Sequence, residues 1–130
     1  MAEYIAKGVY KSDKEVQVKI MNTSKDDKTD VLTEVFKSKM IIVGSPTVNN
    51  GFLHSLAGIL EMIKGMKLKK KKAAAFGSYG WSGESVKLIT EELKKSGFEI
   101  INDGLKVMWT PSEDERIECI KFGEDLCSNK

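Results

Sequence analysis

Histidine occurs once in these 130 residues and cysteine twice. Imidazole is the commonest protein ligand for metals, so a lone His54 excludes a metal centre built from several such side chains. His54 itself reads as a surface or capping residue at a helix start. Proline is nearly as scarce, with Pro46 and Pro111 only. No apolar stretch approaches the ~20 residues needed to cross a bilayer. The start, Met-Ala-Glu-Tyr, lacks the basic segment and apolar run of a secretion signal, and a cytoplasmic setting is expected. Neither sign of charge dominates: 21 basic against 19 acidic residues leave +2, too balanced for a nucleic-acid binder with a basic face. Cys119 and Cys127 fall in one expected helix, roughly 12 Å apart along its axis and beyond disulfide reach. They read as free thiols, helix-packing or incidental, which suits a reducing compartment. Repeats, low-complexity segments and linkers are absent too, so residues 1–130 read as a single domain.

What is present is alternation. Residues 1–11 have helix periodicity with Ile5 and Val9 inward. Residues 16–21, Val-Gln-Val-Lys-Ile-Met, alternate apolar and polar and predict a half-covered or edge strand. Residues 26–38 predict a short helix on Val31, Leu32, Val35 and Phe36. Met40, Ile41, Ile42 and Val43 form a continuous apolar run, as in a strand covered on both faces. A helix over 53–64 follows on Leu53, Leu56, Ala57, Leu60 and Ile63, then a buried strand over 73–76. The helix over 82–96 faces inward through Val86, Ile89 and Leu93 and stops at Gly97. Residues 98–101 and 105–109 predict one broken strand around a turn at 102–104. Ser112 and Glu115 have capping-box spacing at the start of a last helix that faces inward through Ile117 and Ile120. Phe76, Phe98 and Trp109 are assigned to the core. Such an order implies an α/β fold, a parallel sheet between helical layers. The lysines at 67 and 69–72 read as a solvated turn; the sharper alternative is a docking patch for an acidic electron-transfer partner.

Two loops follow the central strands, Gly44-Ser45-Pro46-Thr47-Val48-Asn49-Asn50-Gly51 and Gly77-Ser78-Tyr79-Gly80-Trp81-Ser82-Gly83. Loops at the carboxyl ends of neighbouring parallel strands open into one crevice, where ligands bind. Glycines, hydroxyls, amides and two large aromatics suit a planar, hydrogen-bonding aromatic cofactor better than a metal or a nucleophile. Thr47, Asn49 and Asn50 could equally be turn formers.

At these loops the chain resembles the flavodoxin-like domain of flavodiiron proteins, oxygen or nitric oxide reductases in which a diiron domain precedes a flavin domain. The motifs Gly-Ser-Pro-Thr-x-Asn-Asn-Gly at 44–51 and Ala-Phe-Gly-Ser-Tyr-Gly-Trp-Ser-Gly at 75–83 carry the resemblance, with Gly-Phe-Glu at 97–99 downstream. It implies a flavodoxin-like three-layer sandwich and FMN as cofactor. Ser45, Pro46, Thr47, Asn49, Asn50 and Gly51 would border one edge of the isoalloxazine ring, and Ser78, Tyr79, Gly80, Trp81, Ser82 and Gly83 the other. An aromatic such as Trp81 or Tyr79 can stack on the ring. The implied function is electron transfer, from a rubredoxin-like or ferredoxin-like donor to a diiron centre on another domain or chain. Homo-oligomerisation is compatible with it.

The departure from the family is at the front. Its first, central strand and hydroxyl-rich phosphate loop have no counterpart before the helix at 1–11. The chain is therefore expected to be an amino-terminally truncated version of the domain with four strands. Either residues 16–21 lack a neighbour, or they pair directly with 40–43. Truncation predicts weak or absent FMN binding by this polypeptide alone. The competing readings are a truncated module that binds no flavin and a flavoprotein of the quinone-reductase type.

Overall fold

The computed structural model describes residues 1–128. Helix α1 (Ala2–Ser12) is followed by a segment without helix or strand, then α2 (Lys28–Lys37), strand β1 (Met40–Gly44) and α3 (His54–Met66). Strand β2 (Lys72–Tyr79), α4 (Glu84–Lys95), β3 (Glu99–Ile100), β4 (Leu105–Met108) and α5 (Glu113–Cys127) complete the order. Local chemistry sets the ends. Asp27 caps α2 by accepting from the N–H groups of Thr29 and Asp30, satisfying donors that a helix start leaves unpaired. Ser112 and Glu115 form the expected capping box on α5. Gly97 stops α4 at φ +92°, a left-handed conformation that costs glycine little.

Strand β2 is the centre of the sheet. It pairs in parallel with β1 on one side and with both β3 and β4 on the other. The last two are pieces of one interrupted strand, parted at 101–104, where the Gly104 N–H donates to the Asn102 side chain at 2.9 Å. Sheet and helices form three layers. Ala73 and Ala75 face the cluster of α2, α3 and α4, with Ile41, Leu56, Ile63, Ile89 and Leu93. Ala74, pointing the other way, meets Ile5 of α1 and Cys119 and Leu126 of α5. A strand sandwiched between helices reads as continuously apolar for this reason.

The segment 16–21 is not a strand, and it does not pair with β1. Its four-strand sheet is reached instead by the split of the final strand. Alternation specifies which side chains are covered but supplies no ladder partner. Here Tyr10 Oη accepts from the Val18 N–H and donates to the Val18 carbonyl, each at 3.3 Å, and Met21 packs on the larger cluster. Lys19 pairs with Glu34 at 3.1 Å and holds the Glu34 carboxyl below its usual range. That contribution to stability is present above the ordinary glutamate pKa and disappears as pH falls through the lowered one. On β1, Ser45 N–H donates to Phe76 and Lys39 carbonyl accepts from Lys72. The odd-numbered residues thus face β2, and the backbone groups of Met40, Ile42 and Gly44 lie along the outer edge, which carries no strand among the described residues.

Two assigned inward faces differ. Phe36 is 64% exposed and Ile117 63% exposed. Helix α5 turns Cys119, Gly123 and Leu126 inward instead, and at Gly123 the missing side chain lets α1 approach closely. Cys119 is fully buried and free, and Cys127 is free and half-buried. Burial pushes the Cys119 thiol above its usual range. It stays protonated while the unfolded chain ionises, so stability declines as pH climbs past the ordinary thiol pKa. Iodoacetamide at mildly alkaline pH is therefore expected to alkylate Cys127 well before Cys119, read by peptide mass mapping; equal rates would contradict the burial.

Candidate functional site

The sheet places both glycine-rich loops at the carboxyl ends of β1 and β2. They are tied together. Thr47 N–H donates to the Ser78 carbonyl at 2.8 Å, extending the β1–β2 ladder past the last strand residue. Thr47 Oγ1 donates to Ser85 Oγ at 2.9 Å and accepts from the Ser85 N–H at 3.2 Å. Ser85 Oγ in turn donates to the Ser45 carbonyl at 3.1 Å. Ser85, in the first turn of α4, is 1% exposed. A buried polar group is tolerated because it is fully paired, and here the pairing clamps one loop to the other.

The first loop closes as a tight hairpin. Val48 and Gly51 exchange backbone hydrogen bonds at 3.0 and 2.9 Å, and Asn49 and Asn50 between them have φ +49° and +60°. Two left-handed central residues define a type I′ turn, which favours asparagine. Turn chemistry accounts for both residue types. Ser45 is also committed: its buried hydroxyl accepts from the Leu53 N–H at 2.9 Å at the start of α3. In the second loop Trp81 is 95% exposed, whereas Tyr79 is half-buried with its ring against Gly83.

A cavity of about 310 Å³ lies between the loops and the amino end of α1. Ser45, Pro46 and Ser78 line it, together with Met1, Phe76 and Trp109. Thr47, Asn49, Asn50, Gly51, Tyr79, Gly80, Trp81, Ser82 and Gly83 do not line it. Glu84, which opens α4 directly after the second loop, has a buried oxygen, Oε2, with no hydrogen-bond partner. Among the described residues no three His, Cys, Asp or Glu side chains gather closely enough to hold a metal ion. Among the described residues no helix is long and apolar enough to cross a membrane.

Two site residues escape the sequence reading. Ser85 is the tether, and nothing in its spacing marks it. Trp109 was assigned to the core but is 69% exposed at the end of β4. Strand parity points it inward, as Leu105 and Val107 point; a left-handed backbone at φ +56° reverses it. The strand-end rule that located the first two loops applies equally to the third, after β4, and would have drawn attention to it. The lysine cluster lies at the other end of β2, roughly 23 Å from the loops at strand spacing. Lys71 Nζ there donates to the carbonyls of Phe36 and Ser38 at the end of α2.

Known proteins match this arrangement. The anaerobic nitric oxide reductase flavorubredoxin of Vibrio vulnificus is 46% identical over 126 residues, 97% of this chain but 25% of its own length. The chain thus spans about a quarter of the curated relatives it matches. Among solved structures, rubredoxin oxygen:oxidoreductase from Desulfovibrio gigas superposes with a TM-score of 0.87 at 33% identity, covering 98% of this chain and 32% of that one. A flavodoxin from the domain Archaea superposes at 0.86 and 27% identity, covering 98% and 86%. The family model for flavodoxin matches residues 1–123. With four parallel strands, five helices and both strand-end loops in place, the chain belongs to the flavodoxin family.

Proposed function

We propose that this chain is an FMN-binding electron-transfer module, the flavin part of a flavodiiron-type oxygen or nitric oxide reductase. In this reading it receives electrons from a rubredoxin-like or ferredoxin-like donor and delivers them to a diiron centre held by another domain or chain. Family membership implies FMN, and the residues present fit its ring. The clamped loops offer exposed aromatic surface at Trp81 and a half-buried Tyr79. When bound, FMN supplies the one-electron chemistry; the protein's part is to hold the ring, exclude water from one side and tune it through nearby dipoles. The observation that carries the proposal is the direct bonding of loop 44–51 to loop 77–83 through Thr47, Ser78 and Ser85.

The phosphate is served differently. Met1, which starts α1 without a side-chain cap, lines the cavity, and a helix terminus contributes about 1 kcal/mol to an anion. FMN is therefore expected to bind no more than about fivefold tighter than riboflavin. Fluorescence titration of both flavins measures this. Saturable quenching that weakens in Trp81→Ala supports the proposal; FMN emission unchanged by excess protein refutes it.

A further inference from the structure

Trp109 combines three features that ordinary packing does not explain. Its backbone is left-handed at φ +56°, a conformation that is a genuine outlier for a bulky residue. Its side chain is 69% exposed, so burial does not offset that strain. Its indole nevertheless has a definite partner: a Cβ built on Gly80 would lie 2.7 Å from Cη2 and 2.9 Å from Cζ2 of the Trp109 ring. The benzo edge thus rests on bare backbone at the middle of the second loop. The Trp109 N–H donates to the Tyr79 carbonyl at 2.8 Å, the rung just beyond the β2–β4 ladder. Side chain and main chain therefore grip consecutive loop residues, while the ring also lines the cavity beside Ser45, Pro46 and Ser78.

We propose that Trp109 is a positioning residue that holds loop 77–83 in its ligand-ready conformation, with Gly80 as its receptor. Strained residues persist where the surroundings over-determine them, and they cluster at ligand clamps. This strut acts from the third strand-end loop and complements the Ser85 tether, which holds the same loop from the helix side. Its relevance to FMN rests on the function proposed above; its effect on the loop does not.

The test separates the two. Tyr79 and Trp81 are chymotrypsin sites inside the loop, and Phe98, 5% exposed in the core, is an internal reference. In the full chain without flavin, Trp109→Ala is expected to speed cleavage after Tyr79 and Trp81 about fivefold relative to Phe98, because local opening becomes easier. Gly80→Ala puts a methyl group where the benzo ring lies and should do the same. The double variant should be no worse than either single one, as coupled partners require. Trp109→Phe, which keeps a ring, should restore cleavage to within about twofold of the parent. With FMN, the dissociation constant should rise about tenfold in Trp109→Ala as preorganisation is lost. Unchanged loop cleavage in both single variants, or additive effects in the double, overturns the proposal. A faster-cut loop in a parent chain that binds no FMN upholds the strut and defeats the flavin reading alone.

Discussion

Gly123→Ala is expected to destabilise the protein, although alanine is the better helix former. In an exposed helix the exchange would add about 1 kcal/mol of stability. At Gly123 a Cβ would stand 2.0 Å from the Ile5 carbonyl oxygen, and at Gly8 a Cβ would stand 1.9 Å from that of Ile120. Both obstacles are backbone, so the methyl group is accommodated only if α1 and α5 move apart. Separation opens the cluster of Ile5, Ala74, Cys119 and Leu126. Overpacking of this kind costs up to about 3 kcal/mol, leaving a net loss of roughly 2 kcal/mol and about 8 °C in Tm. Gly65 in α3 is the control, since nothing lies within 4 Å of its added Cβ. Gly65→Ala should instead raise stability by about 0.5–1 kcal/mol. Thermal unfolding followed by circular dichroism reads both, and the same sign for the two variants would contradict the close crossing.

Ser85→Ala should cost about 2 kcal/mol, because it leaves the Ser45 carbonyl without its donor and the Thr47 O–H without its acceptor. The hydroxyl of Thr90, on the same helix, donates to the Val86 carbonyl one turn back at 2.8 Å. That bond joins no loops, so Thr90→Ala should change stability by less than about 0.5 kcal/mol. Urea midpoints compare the pair. In the flavin reading, affinity for FMN falls roughly tenfold in Ser85→Ala alone, since only that change lets the loops drift apart. Equal urea midpoints for the two variants would show that the tether is not a tether.

The helices α3 and α4 were legible because their apolar positions recur at helical spacing over three turns, and their buried residues, Leu56, Leu60 and Ile63, then Val86, Ile89 and Leu93, match that pattern. The buried strands were legible because helices cover both faces, leaving runs with no polar interruption. Phe98 is core as expected. Reading failed where size was taken for burial. On α5 the large Ile117 is exposed and the small Gly123 buried, because the neighbouring helix sits too close for a large side chain. It failed again at residues 16–21, where period-two alternation was present but a ladder needs a partner. Trp109 was misplaced because parity holds only while the backbone stays extended.

From residue types and spacing alone came the alternating α/β order, the caps at Ser112 and Gly97, and the two neighbouring strand-end loops. These are local properties, encoded within a few residues of where they act. Which side chains serve the loops was decided only when the chain closed on itself. The Ser85 hydroxyl lies 38 positions from Thr47, and Trp109 meets Gly80 across two strands. Contacts of that range depend on the distance between packed elements, which hydrophobic period does not record.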